Sequence, residues 1–145
     1  MLPKMIHTVD GILFDKNGQI ILIQRKSDTF NKYWALPGGI VEINESIEET
    51  LEREMKEETS VAVNPKEILG VFSDPQRDPR GRVISTVFIC DYIGIPEAAS
   101  DARALKLYSL EEALALNLAF DHNSILQTYK KWLVTKGTYW SKKSE

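Results

Sequence analysis

The sequence predicts an α/β fold, a mixed β-sheet sandwiched between helices, on three observations. Short β-rich runs recur along the chain, from Ile20-Ile21-Leu22-Ile23 to Val87-Phe88-Ile89-Cys90. Residues 46–59 carry an apolar stripe at helical spacing beside an acidic one. Ile125, Tyr129, Trp132 and Leu133 recur at the same spacing near the C-terminus, so extended and helical periods alternate. A chain of 145 residues with 43% hydrophobic content builds one good core and is short for two domains. We therefore expect a single domain over residues 1–140, followed by a polar tail, 141–145, that frays.

Residues 5–14 and 19–25 are β-rich and flank Asp15-Lys16-Asn17-Gly18. Asn-Gly favours tight turns because both residues tolerate positive φ, so the segment reads as a β-hairpin. After a polar loop, Tyr33-Trp34-Ala35-Leu36 reads as a short extended piece ending at the breaker cluster Pro37-Gly38-Gly39. A helix should start at Ser46, where Ser46-Ile47-Glu48-Glu49 fits a capping box, and run to about Thr59. Ile68 to Phe72 and Arg82 to Tyr92 read as strands around a polar loop, Ser73 to Arg82. Leu105 to Tyr108 suits a further strand and Leu110 to Leu116 a short helix. The last helix carries Ile125 to Leu133 and ends near Gly137.

The first helix holds the chemistry. On a wheel of about 100° per residue starting at Ile47, Leu51 falls near 40° and Met55 near 80°, which is the buried stripe. Glu54 and Glu58 fall beside it and Glu57 on its flank, whereas Glu48, Glu49, Glu52 and Lys56 point to solvent. The inner three stand at i, i+3 and i+4, where like charges repel by about 0.2–0.5 kcal/mol per pair. They also crowd the C-terminal half, where the helix dipole disfavours anions. A hard divalent cation offsets this directly, since oxygen ligands on one face suit Mg²⁺ or Mn²⁺. The competing explanation is a salt-bridge network in which Arg53 pairs with Glu49 or Glu57.

Residues 39–61, which run Gly39, Glu45, Arg53-Glu54-Met55-Lys56-Glu57-Glu58 and on to Val61, resemble the Nudix box of the Nudix hydrolases. Every fixed position of that pattern is kept except its second glycine, here Ser60. The approach to it, Ile21 to Arg25 and Trp34 to Gly39, is also similar. The resemblance implies an α/β/α sandwich and a Mg²⁺ (or Mn²⁺) site on Glu54, Glu57 and Glu58, with Arg53 orienting one of the carboxylates. It implies water attack on a diphosphate phosphorus, with Glu54 or Glu57 as the helix candidates for base and Glu97 or Asp101 as loop candidates. In many relatives acting on ADP-ribose a glutamate precedes the last strand, but Ala104 stands there in this chain. Glycine at position 60 would end the helix in a left-handed turn, and serine there costs roughly 1–2 kcal/mol, so the last turn is expected to end differently.

The loop Ser73-Asp74-Pro75-Gln76-Arg77-Asp78-Pro79-Arg80-Gly81-Arg82 is similar to the proline-bearing loop of ADP-ribose pyrophosphatases, and Leu118 to His122 also looks like that subgroup. Prolines hold the loop in shape and arginines suit phosphates, which makes Pro75, Arg77 and Arg80 the candidate substrate-binding residues. Hydrolysis of ADP-ribose to AMP and ribose 5-phosphate is the expected reaction. One rival is a pyrophosphohydrolase that cleanses damaged nucleoside triphosphates. The other is a non-catalytic ADP-ribose sensor, though such regulators usually append a DNA-binding domain that this chain ends too soon to hold.

The remaining features narrow the partners. A net charge of −3, without a basic stripe, argues against a nucleic-acid partner. The longest apolar runs fall far short of the roughly 20 residues that cross a bilayer, and the N-terminus lacks a signal core. A small nucleotide is the expected partner, with a homodimer left open. The single Cys90 reads as a buried small hydrophobe and points to a cytoplasmic setting. His7 and His122 lack metal-ligand spacing and read as structural.

Overall fold

The computed structural model describes residues 4–99, 102 and 104–142. Strands β1 (Ile6–Leu13), β4 (Gly38–Ile40), β5 (Ala62–Phe72), β6 (Val83–Ile93) and β8 (Tyr139–Trp140) form a five-stranded sheet in the order β4-β1-β6-β5-β8. This sheet is mixed, because β1 runs parallel to β6 and β5 parallel to β8. A second, antiparallel sheet has the order β3-β2-β7, from β3 (Trp34–Ala35), β2 (Ile20–Gln24) and β7 (Ala104–Tyr108). Helices α1 (Ile47–Thr59), α2 (Leu110–Leu114) and α3 (His122–Thr135) cover the strands.

Alternation along the strands divides the interior in two. Val9 and Leu13 of β1, Ile21 of β2 and Phe88 and Cys90 of β6 pack with Leu51 and Met55 of α1. The intervening residues Ile12, Ile20, Leu22, Val87 and Ile89 face the other way, onto Ala113 of α2 and Ile125, Leu126 and Tyr129 of α3. A strand that buries both faces must be covered on both sides, here by α1 on one and by α2 and α3 on the other, which is the sandwich the sequence predicts. Burial pushes the Cys90 thiol up to about 12, with the Asp91 charge adding to it, so it stays protonated as an inert core group.

The hairpin expectation needs correction. The turn forms as expected, with Gly18 at φ +78° and its N–H donating to the Asp15 carbonyl at 3.0 Å. Its arms nevertheless enter different sheets, and beyond the turn their ladder is reduced to an isolated bridge, Phe14 to Ile20. Asn-Gly dictates a reversal and not a pairing. The pairing is decided by strands far along the chain, β6 for β1 and β7 for β2.

The ends of α1 are also informative. Ser46 Oγ accepts from Glu49 N at 3.1 Å, and a Glu49 side-chain oxygen accepts from Ser46 N at 2.9 Å, so the capping box is complete. At the other end Ser60 does take the left-handed conformation, φ +68°, and its N–H donates to the Lys56 carbonyl at 3.1 Å. The expected departure at this turn therefore does not occur. Two hydrogen bonds oppose the strain: Ser60 Oγ donates to the Glu97 carbonyl at 3.1 Å and Glu97 N to the Thr59 carbonyl at 3.0 Å.

Two further differences come from short or interrupted strands. β5 starts at Ala62, six residues before the expected Ile68, with Pro65 accommodated by a register shift between Pro65 and Glu67. β8 is too short to show a period. It lies against Gly70, where a Cβ would fall 2.7 Å from the Tyr139 Cβ. Ser141, in the expected tail, accepts from Ser73 N and donates to the Val71 carbonyl, both at 2.9 Å, while 143–145 lie outside the described residues. Among the described residues, no helix is long and apolar enough to cross a membrane.

Candidate active site

The α1 acids meet the chain at two adjacent glycines. β4 pairs with β1 so that Gly38 stands opposite Asp10 and Gly39 opposite Val9. The Gly38 N–H donates to Glu58 Oε1 at 2.8 Å, and Glu58 is only 8% exposed. Glu54 lies so close to Gly39 that a Cβ at position 39 would fall 2.1 Å from its carboxyl carbon. The double glycine is therefore the seat for two carboxylates, and any side chain at position 39 would displace one of them.

Arg53 fixes the array. Its guanidinium makes a bidentate contact to Glu45 at 2.7 and 2.9 Å and reaches Glu54 at 2.8 Å, Glu57 at 3.4 Å and the Ile40 carbonyl at 3.3 Å. The Arg53 hydrogen bond holds the Glu45 carboxyl down to about 2, and the same bond raises the Arg53 pKa above its usual value. The arginine of the salt-bridge reading is thus engaged, with Glu57 as one partner, while Glu49 is used in the helix cap. Its tightest contact goes to Glu45 on the preceding loop, which makes it a post that aims Glu54 and ties loop to helix.

This donor set suits a hard cation. Glu54 and Glu58 bring carboxylate oxygens to one strand, and Glu57 flanks them with its side chain 49% exposed. Among the described residues no three acids, histidines or cysteines stand as a ready-made metal cage. Mg²⁺ does not need one, because it is commonly held by one or two carboxylates, with waters and substrate phosphates completing the shell.

Beside the carboxylates opens a cavity of about 180 Å³ bordered by Asp10, Arg25, Gly38, Glu58, Arg80 and His122. Its outer wall is Phe120, held at φ +52°, with the Arg25 guanidinium 4.7 Å and the Arg80 guanidinium 5.0 Å from the ring centroid. Two cations over one aromatic ring make a flat, positive surface next to the acidic one. Two wider grooves, of about 900 and 1090 Å³, lie beside the Asp15 turn and beside the end of α3, and neither touches the α1 acids.

The sequence-predicted loop residues divide. Arg80 borders the cavity, half exposed, and is paired with Asp78 at 2.8 Å. Arg77 also borders it, but its side chain is 4% exposed and forms a bidentate pair with Asp121 at 2.7 and 2.9 Å. Pro75 lies within the turn closed by Arg77 N donating to the Asp74 carbonyl, outside the cavity lining. Of the loop candidates for base, Glu97 is exposed and its backbone serves the end of α1, while Asp101 lies outside the described residues. Arg25 and Phe120 fall in the stretches Ile21 to Arg25 and Leu118 to His122 that resemble the family, with no role attached to either side chain, and Asp10 belongs to no motif. The signal in the sequence that marks Asp10 is a lone acid inside a β-rich run.

Asp10 and His122 are buried ionisable groups with opposed shifts. Burial pushes Asp10 up to about 6, against the Ser85 hydrogen bond and the charges of Arg77 and Arg25. Burial pushes His122 down to about 4, with Asp121 opposing and Arg77 adding to it. Folded Asp10 keeps a proton that the unfolded chain, with a carboxyl near 3.8, has released. Its contribution favours folding at low pH and is lost as pH rises through about 6. Folded His122 refuses a proton that the unfolded chain takes below 6.5, so its contribution is present above 6.5 and lost as pH falls through about 4. The two slopes oppose each other between about pH 4 and 6. Asp10→Asn should therefore lose stability on acidification more steeply than wild type, as urea midpoints across that window would record. Parallel curves for the two proteins would contradict the opposition.

The NUDIX domain family model matches residues 5–129. The chain is 47% identical over 125 residues to the ADP-ribose pyrophosphatase of Methanocaldococcus jannaschii, covering 86% of this chain and 72% of that protein. It is 30% identical over 132 residues to the ADPR responsive transcriptional repressor NtrR of Acinetobacter baylyi, covering 86% of this chain but about half, 53%, of the repressor. In structure it is similar to the NUDIX domain of Shewanella oneidensis NrtR, solved with ADP ribose. That similarity has a TM-score of 0.81 at 26% identity and covers 92% of this chain and 91% of that one.

Proposed function

The chain belongs to the NUDIX family, and on that premise we propose that it is a divalent-metal-dependent pyrophosphohydrolase that cleaves ADP-ribose to AMP and ribose 5-phosphate. The observation that carries this reading is the seating of Glu54 and Glu58 on Gly39 and Gly38 under the control of Arg53. Likeness to the archaeal ADP-ribose pyrophosphatase supports the substrate.

Glu54, Glu57 and Glu58 would hold Mg²⁺ or Mn²⁺, which when bound neutralises diphosphate charge and acidifies the attacking water. Arg53 keeps Glu54 aimed at that position. Arg80 and Arg25 face the diphosphate as charge-assisted donors. Water oxygen attacks one phosphorus, the bridging P–O bond breaks, and the water proton passes to a helix carboxylate. Glu57, half exposed, is better placed to take it than Glu54, which is packed on Gly39 and bonded to Arg53.

The second reading, an ADP-ribose sensor, is favoured by likeness to the repressor and to the NUDIX domain solved with ADP ribose. One assay separates the readings. Purified protein with Mg²⁺ is offered ADP-ribose and nucleoside triphosphates, and products are identified. AMP with ribose 5-phosphate at the higher kcat/KM is the expected result. Pyrophosphate released from a triphosphate at higher kcat/KM points to the nucleotide-cleansing activity instead, and binding without turnover points to the sensor.

A further inference from the structure

Asp10 stands in β1 among buried neighbours and is 8% exposed. A carboxylate in such a place is costly unless it is paired. Its Oδ2 accepts from the buried Ser85 hydroxyl. Its Oδ1 lies over Gly38, where a Cβ would come within 2.3 Å, and faces His122 Nε2 at 3.8 Å. That separation is too long for a direct hydrogen bond.

The histidine tautomer is set by the backbone. Leu36 N–H donates to His122 Nδ1 at 3.0 Å, so the neutral ring carries its proton on Nε2. An atom that only donates therefore faces an atom that only accepts, across a gap bordering the cavity shared with Glu58 and Arg25. A hydroxyl group satisfies both at once, accepting from Nε2–H and donating to Oδ1. A phosphate oxygen cannot donate, and an apolar edge does neither. Burial of the ring keeps it neutral near pH 7, which preserves this polarity.

We propose that Asp10 and His122 are specificity-determining residues that together read one hydroxyl of the sugar joined to the substrate's diphosphate. The proposal rests on the diphosphate-sugar reading above and deepens it, by placing sugar recognition on β1 and α3, apart from the metal-binding helix. Ser85 is then a positioning residue that aims the carboxylate.

Binding is measured by calorimetry in EDTA, so that recognition is separated from turnover. The ligands are ADP-ribose and ADP, which share everything up to the diphosphate. Wild type should prefer ADP-ribose. Asp10→Asn and His122→Gln should each weaken ADP-ribose binding by about tenfold or more, as loss of one hydrogen bond to a charged or oriented group implies, and leave ADP within about twofold. His122→Gln retains an acceptor for Leu36 N–H and gives an independent measurement if Asp10→Asn does not fold. A parallel loss for both ligands, or an unchanged preference, would overturn the proposal while leaving the enzyme reading intact. Wild-type protein that neither binds nor cleaves ADP-ribose would overturn both.

Discussion

Glu58→Gln is expected to lower kcat at saturating Mg²⁺ by about a hundredfold or more, with a melting temperature close to wild type. The two halves of that result come from different atoms. The glutamine carbonyl can still accept the Gly38 N–H that now reaches Glu58 Oε1 at 2.8 Å, so the contact between α1 and β4 survives. The charge that would face the cation does not survive, and relief of repulsion from Glu54, four residues earlier, offsets any loss of stability. Glu57→Gln should act in the same direction, its carboxylate being held by Arg53 at 3.4 Å. Glu52→Gln, on the solvent face, is the control and should be silent. Wild-type turnover by Glu58→Gln at saturating metal would remove this residue from the metal site.

The legibility of that helix in the sequence has a physical basis. Capping, the apolar stripe and the acidic spacing are all local, so Ser46, Leu51, Met55 and the three glutamates can be read within one stretch of chain. The pocket wall is not local. Arg25 follows β2 and Phe120 precedes α3, and only the fold brings them into one cavity wall, so the stretches that hold them can resemble the family without showing that the two side chains meet. The same cause explains the hairpin. A turn is local, but membership of a sheet is settled by partners far along the chain, as Thr8 finds Ser85 and Asp10 finds Val87. Ser60 shows the converse limit, since a propensity argument against left-handed serine is outweighed by bonds to Glu97, which lies far along the chain.

The loop arginines yield the last expected result, because the structure separates two residues that look equivalent in sequence. Arg77→Ala should destabilise the fold, by about 2–4 kcal/mol or on the order of 10 °C in melting temperature, since it leaves the Asp121 carboxylate without its bidentate partner. The lower end of the usual cost for a broken buried pair applies, as Asp121 keeps 21% exposure and, at the N-cap of α3, can turn towards the helix amides. Replacing Asp121 as well should recover part of the loss, because the uncompensated charge goes with it. Arg80→Ala should show itself in kinetics as well as in melting. Its own side chain is 51% exposed but its partner Asp78 is only 3% exposed, so melting should fall too, while KM for the diphosphate substrate should rise by about tenfold or more as a charge-assisted contact is lost. Thermal melts and steady-state kinetics on the two variants decide the matter. A stable Arg77→Ala protein with a raised KM would mean that the guanidinium leaves Asp121 to meet the substrate, and the loop would then be a clamp rather than a brace.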